Sequence, residues 1–129
     1  MNKNIKKTAL ISIVVIFCAI AAKLMLYGLP YVTKSHTGHF TLTNQSDEMI
    51  AHGTVSICGK TFAFENVEKD DSIEETYEAK GDSHYSITVV FASGATIKDE
   101  IGYVTTGFNY EDIITVAKTS ITINRSNLQ

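Results

Sequence analysis

Residues 8–22 form an uncharged run, TALISIVVIFCAIAA, which Lys23 interrupts and residues 24–29 resume. A bilayer core is crossed by roughly 20 apolar residues at about 1.5 Å rise each. Residues 8–29 are therefore expected to form one transmembrane helix. Lys23 lies near the far end of the run, where its ammonium reaches the headgroups at little cost. Tyr27 and Tyr31 fall where an interfacial aromatic belt stands. Pro30 donates no N–H and restricts Leu29, so with Gly28 it ends the helix.

From Phe40 onward the period changes to two, the mark of strands with one buried face. Phe40 and Leu42 alternate with Thr41 and Thr43, and Val55 and Ile57 with Thr54 and Ser56. Residues 58–61 read as a hairpin turn leading to Phe62 and Phe64. Residues 68–72 are a charged loop. Residues 73–79 read as a polar edge strand with Ile73, Tyr77 and Ala79 on one face. Gly81-Asp82-Ser83 is a turn. Tyr85, Ile87, Val89 and Phe91 make the clearest inward face and, with Val90, a central strand. Ser93-Gly94 turns the chain into residues 95–101. Residues 102–110 read as a loop with two glycines, and 113–116 and 120–123 as the last strands. The expected core is Phe40, Leu42, Val55, Ile57, Phe62, Phe64, Tyr85, Ile87, Val89, Phe91, Ile97, Ile101, Ile114 and Val116.

Seven or eight short strands at this spacing predict a sandwich or small barrel. The fold class expected is all-β: an immunoglobulin-like or related antiparallel β-sandwich of about seven strands, preceded by one N-terminal transmembrane helix. The Cys…Trp…Cys signature of immunoglobulin domains is missing, because the chain has no Trp and only Cys58 falls in this part.

Charge separates the same two segments. Up to Lys34 there are five lysines (3, 6, 7, 23 and 34) and no acid; beyond it, 14 acids face five lysines and Arg125. Lys3, Lys6 and Lys7 before the span predict a cytoplasmic N-terminus and an exported acidic domain. The expected organisation is a basic N-terminus (1–7), a signal anchor (8–29), a tether (30–38), a sandwich (39–124) and a tail (125–129). Ala19-Ile20-Ala21 leaves cleavage of a signal peptide after Ala21 as the rival. The net charge of −3 argues against nucleic-acid binding.

The order of short basic N-terminus, single span, FTLTNQS (40–46), GDSHYSITVVFASG (81–94) and GYVTTGF (102–108) resembles small membrane-anchored, uncharacterised proteins of Gram-negative bacteria. The resemblance covers about 75 residues (40–114). Those proteins often carry Pro where Thr106 stands, and Pro-Gly where Lys69-Asp70 stands. The resemblance implies an envelope location and a β-sandwich, and no activity. In a Gram-negative cell the orientation expected from the lysines puts the anchor in the inner membrane and the domain in the periplasm.

Candidate chemistry is sparse. A metal site needs three or four converging ligands, whereas His36 and His39 stand on the expected tether and His52 and His84 lie elsewhere. Asp82, Ser83 and His84 are adjacent, and successive strand residues point to opposite faces, so they form no relay. No catalytic residue, metal or cofactor is expected. A metal- or thiol-dependent envelope enzyme using His84, Asp82 or Cys58 is the alternative, and a structural subunit of a larger membrane assembly another. Cys58 is either buried or a route to a homodimer.

Two surfaces remain. Gly102 and Gly107 bracket a loop whose Tyr103, Thr105, Thr106, Phe108 and Tyr110 form a candidate binding loop. Equally, Tyr103 suits a structural corner, packed under the sheet with its hydroxyl on backbone. Glu68, Asp70, Asp71, Glu74 and Glu75 form a candidate acidic face. It serves either to block strand-to-strand aggregation or to dock a basic partner, expected to be another envelope protein.

Overall fold

The computed structural model describes residues 13–23 and 35–126. The chain divides into two units, Met1–Lys34 and Ser35–Gln129. In the first, residues 13–23 are helical, and the side chains of Ile13, Val14, Val15, Ile16, Phe17 and Ile20 are exposed. Among the described residues no helix is long and apolar enough to cross a membrane. The expected span extends past them, since residues 8–12 and 24–29 lie outside the described residues.

The second unit is built from alternation. In β1 (Thr37–Asn44) the even-numbered residues Gly38, Phe40, Leu42 and Asn44 are buried, and the threonines between them are not. Alternation also shapes β2 (Ile50–Ile57), β3 (Lys60–Val67), β4 (Ser72–Glu78), β5 (Ser83–Phe91), β6 (Thr96–Val104), β7 (Tyr110–Val116) and β8 (Ile121–Ser126), with its phase shifting once within each of β2, β3 and β6. Two four-stranded sheets result, ordered β4-β1-β7-β8 and β3-β2-β5-β6. They pack face to face as a sandwich. Phe40 of the first sheet meets Phe62 and Tyr85 of the second edge-on, at 5.5 and 5.7 Å between ring centres.

Eight strands form rather than about seven, and they are not all antiparallel. β1 runs parallel to β7, with Phe40 opposite Asp112 and Leu42 opposite Ile114. Nor is the partition that of an immunoglobulin domain, where the first two strands share a sheet; here β1 and β2 lie in different sheets. β4 is an edge strand as expected, and β5 is interior. β1 starts at Thr37, so Thr37 and Gly38 are strand residues rather than tether.

Twelve of the fourteen expected core residues are buried. Ile97 and Ile101 are only partly so, because β6 is an edge strand and covers the core from one side. Ile50, Val67, Val104, Tyr110 and Ile121 join the core as well.

The segment expected to loop from residue 102 instead continues β6 through Val104. Ile101 faces Tyr85 and Tyr103 faces His84, leaving Gly102 as the extra residue of a bulge with φ +69. A side chain there would meet Ile123 Cδ1 at 2.7 Å. The inserted residue reverses the alternation, turning Tyr103 outward and Val104 inward.

The sandwich has two distinct ends. The near end, where Ser35 leads into β1, gathers the β2–β3, β4–β5 and β6–β7 connections. There the Ala79 N–H donates to the His36 carbonyl (2.8 Å), the Thr37 N–H to Asn109 Oδ1 (3.0 Å) and the Gly81 N–H to Thr106 Oγ1 (2.7 Å). The far end is closed by Asn44. Its Nδ2 donates to the Glu48 and Val67 carbonyls, and its Oδ1 accepts from the Ser46 N–H and hydroxyl. The FTLTNQS stretch therefore owes its last three residues to a buried turn.

Candidate functional site

The β6–β7 connection at the near end is held from both sides. Tyr103 projects outward, 59 % exposed, and its hydroxyl donates to Asp82 Oδ1 at 2.7 Å. The Thr105 hydroxyl donates to the same oxygen at 2.7 Å. These two donors, Thr105 first, hold the exposed Asp82 carboxyl below the usual carboxylate range. The carboxylate in turn pushes the Tyr103 phenol up. Thr106 accepts from Gly81, and Phe108, between Gly107 and Asn109, is 59 % exposed.

Tyr110 is the corner. It is 8 % exposed; its hydroxyl accepts the Thr105 N–H (2.9 Å) and donates to the Thr105 carbonyl (3.2 Å). The corner role therefore belongs to Tyr110 and not to Tyr103. The bulge at Gly102 keeps Tyr103 from that role, because it turns Tyr103 outward and Val104 inward at the end of β6.

Beneath this loop lies a buried polar chain. Asp112 falls on an inward position of β7 with its side chain fully buried, and Arg125 on an inward position of β8. Arg125 Nε donates to Oδ1 at 2.7 Å and Nη2 to Oδ2 at 2.8 Å. The third arm, Nη1, donates to the Tyr103 carbonyl at 2.6 Å. The guanidinium lies 4.5 Å from the centre of the Tyr110 ring. Its bonds to Asp112 push the Arg125 pKa further up.

The Tyr85 hydroxyl donates to Asp112 Oδ2 at 2.8 Å. Its one proton is thereby committed, so in the 2.8 Å contact between the two phenols Tyr77 donates and Tyr85 accepts. Burial pushes Tyr77 up to about 12, and Tyr85 higher still. No buried side-chain nitrogen or oxygen is left without a partner among the described residues. This chain of groups ties both sheets to the loop.

The remaining candidates lie apart. Ser83 Oγ accepts from the Cys58 N–H (3.0 Å), His84 faces Glu100 at 3.4 Å, and Asp82 serves Tyr103 and Thr105. The three neighbours thus bond in three directions. His39, in β1 rather than a tether, meets Glu111 at 2.6 Å across the parallel pair. Cys58 is a free thiol, partly buried against the core, at the first of two turn positions with positive φ (49 and 74). Cys18 is free and exposed. Among the described residues no three His, Cys, Asp or Glu side chains gather as metal ligands would. An open depression of about 570 Å³ lies on the outer side of the second sheet, between His52, Thr54, Ala63, Glu65, Thr88 and Val90.

The five acids form an edge. Glu68, Asp70 and Asp71 stand on the loop between β3 and β4, whose backbone is bonded to Asn44. Glu74 and Glu75 follow on β4, opposite Thr41 and Phe40. All five are exposed, and among the described residues none is in a salt bridge. Glu75 shares the parity of the buried Tyr77 yet stays in water, an inward-facing charge on an edge strand.

Sequence reasoning missed Asp112, Arg125 and the Tyr77–Tyr85 contact. A signal was present: Tyr110, Asp112, Ile114 and Val116 alternate, as do Ile121, Ile123 and Arg125, which puts opposite charges at inward positions of neighbouring strands.

No family model and no curated protein matches the chain. Among solved structures, the chain is similar in fold to an NMR structure of a protein from Eubacterium rectale. The two are 16 % identical, with a TM-score of 0.51 over 78 % of this chain and 97 % of that one.

Proposed function

We propose that the chain is a single-pass membrane protein of the bacterial cell envelope. Residues 8–29 are its anchor, the N-terminus lies in the cytoplasm, and the sandwich is an extracytoplasmic, non-enzymatic module that binds or scaffolds another envelope protein. In a Gram-negative cell this places the anchor in the inner membrane and the domain in the periplasm. The anchor is supported by the apolar side chains carried on every side of helical residues 13–23, since a helix apolar all round belongs in lipid or a core.

The observation that carries the binding reading is the acidic edge. Glu68, Asp70, Asp71, Glu74 and Glu75 lie along one loop and one strand, exposed and outside any salt bridge among the described residues. The loop is pinned by two backbone bonds to Asn44. Fixed charges of one sign steer a partner of the opposite sign and set its orientation. The internal polar groups are spent on one another, which leaves the surface to do the binding.

The test is photo-crosslinking from positions 70 and 74 in native membranes. A discrete protein adduct is expected, weakened by raised salt and by Asp70→Lys with Glu74→Lys. Recovery of no protein adduct from either position counts against the binding reading. Protease added from the cytoplasmic side that digests the domain in intact inverted vesicles counts against the orientation.

A further inference from the structure

The two ends of the sandwich differ in chemistry. The far end exposes Asp47, Glu68, Asp70 and Asp71 against Lys69 and Lys118, the latter paired with Asp47 at 3.8 Å, and so stays acidic on balance. The near end exposes Tyr103 and Phe108, with Lys60 at the start of β3 and Lys80 on the β4–β5 connection offsetting the exposed Glu78 and Asp82. Besides Ile113, these two aromatics are the only large exposed hydrophobic side chains of the sandwich among the described residues. Neither belongs to a loose segment. Tyr103 is bonded to Asp82, Thr105 to Asp82 and Tyr110, and Asn109 to Thr37. A loop fixed at both ends that keeps apolar rings in water points to an apolar surface the rings meet.

The course of the chain says which surface. Ser35 leads into β1 at this same end, and the Thr37 N–H is bonded to the loop through Asn109. Residues 30–36 are all that separates the proposed anchor from the sandwich, and seven residues reach at most about 25 Å. We propose that Tyr103 and Phe108 enter the interfacial zone of the bilayer that holds the chain's own anchor, with Lys60 and Lys80 against lipid phosphates. This rests on the anchored reading above and names the occupant of the loop.

Phenol and phenyl rings suit the headgroup boundary, where one side is wet and the other apolar. Lys60 and Lys80 are attracted to the anionic surface, and the acids of the far end are kept away from it. The acidic edge is then held outward for a protein partner, while the lipid-facing end sets the domain's tilt.

The chain has no Trp, so single reporters can be placed in the full-length protein. Tyr103→Trp, Phe108→Trp and, at the far end, Thr119→Trp are reconstituted in vesicles of phosphatidylethanolamine and phosphatidylglycerol carrying a headgroup-level spin label. At least about twofold stronger quenching is expected for the first two than for Thr119→Trp, with blue-shifted emission. Two independent reporters guard against a local effect of either substitution. If the chain floats with the vesicles but both loop reporters stay as unquenched as the far-end one, the inference is overturned and the anchored reading stands. A chain left at the bottom of the flotation gradient overturns both. Loop reporters unquenched by lipid but crosslinked to a protein in native membranes make the loop a protein-docking surface and overturn the lipid assignment.

Discussion

Arg125 grips both carboxylate oxygens of Asp112, at 2.7 and 2.8 Å, in a place where Asp112 has no contact with water. Breaking a buried pair by removing one partner strands the other charge, at a cost of about 3–5 kcal/mol. Arg125→Ala is expected to lose that much, read as a lower denaturant midpoint at unchanged slope. Arg125→Lys recovers only part of it, because an ammonium cannot make the two-pronged contact and still reach the Tyr103 carbonyl. A loss below about 0.5 kcal/mol, the range of ordinary surface changes, would show the pair to be dispensable.

The Tyr77–Tyr85–Asp112 chain predicts alkaline sensitivity. Both phenols have folded pKa values above the unfolded value of about 10. Their contribution is full below that value and is lost as pH rises, through about 12 for Tyr77. Unfolding should therefore set in between about 10 and 12, with phenolate absorbance rising in step with loss of structure. Tyr85→Phe, which removes a donor to Asp112 and an acceptor for Tyr77, is expected to cost about 1–3 kcal/mol at neutral pH. Phenolate absorbance from both residues ahead of unfolding would contradict the buried chain.

Gly38 lies under the ring of Tyr77, where an added Cβ would stand 2.0 Å from Cζ. Tyr77 cannot swing away without losing Tyr85. Gly38→Ala is expected to destabilise by about 1–3 kcal/mol, as overpacking does. Thermal unfolding of Gly38→Ala beside Gly38→Ala with Tyr77→Phe checks the cause, and coupling between the two changes is expected.

Asp82 governs the loop from the acid side. Its folded pKa lies below its unfolded one, so its contribution is present above the unfolded value of about 3.9 and disappears as pH falls through the folded value. Amide protection in residues 103–108, taken relative to the intrinsic exchange rate at each pH, should fall across that window. In Asp82→Asn the loop should exchange faster at neutral pH and lose this acid dependence, with the Asp112–Arg125 pair intact. Identical exchange in the two proteins would mean that Asp82 does not hold the loop.

Where a strand keeps strict alternation, its sequence already showed its buried side. Tyr85, Ile87, Val89 and Phe91 on β5 are the plainest example, and the polar β4 declared itself an edge. Alternation failed as a guide at two places. Gly102 inserts one residue and reverses the facing of Tyr103 and Val104, so a strand end looked like a glycine loop. Asp112 puts a charge at an inward position, which hid the first half of β7 until its partner Arg125 was seen beside it. The parallel pairing of β1 with β7 carries no local signal, because its register is settled by side chains far apart along the chain. The Asp82 latch was invisible for the same reason: its two donors come from beyond the next hairpin.

That parallel pairing also orders assembly in time. Bonds such as Thr37 to Asn109 and His39 to Glu111 join residues 72 positions apart. Before β7 exists, β1 has only β4 beside it, and a two-stranded ribbon is marginal in water. Arg125, which neutralises Asp112, arrives later still. The first sheet is thus completed only once β7 and β8 have joined β1, which makes its closure a late, long-range step. Deleting β8 should leave the remaining strands unfolded rather than forming a smaller sandwich.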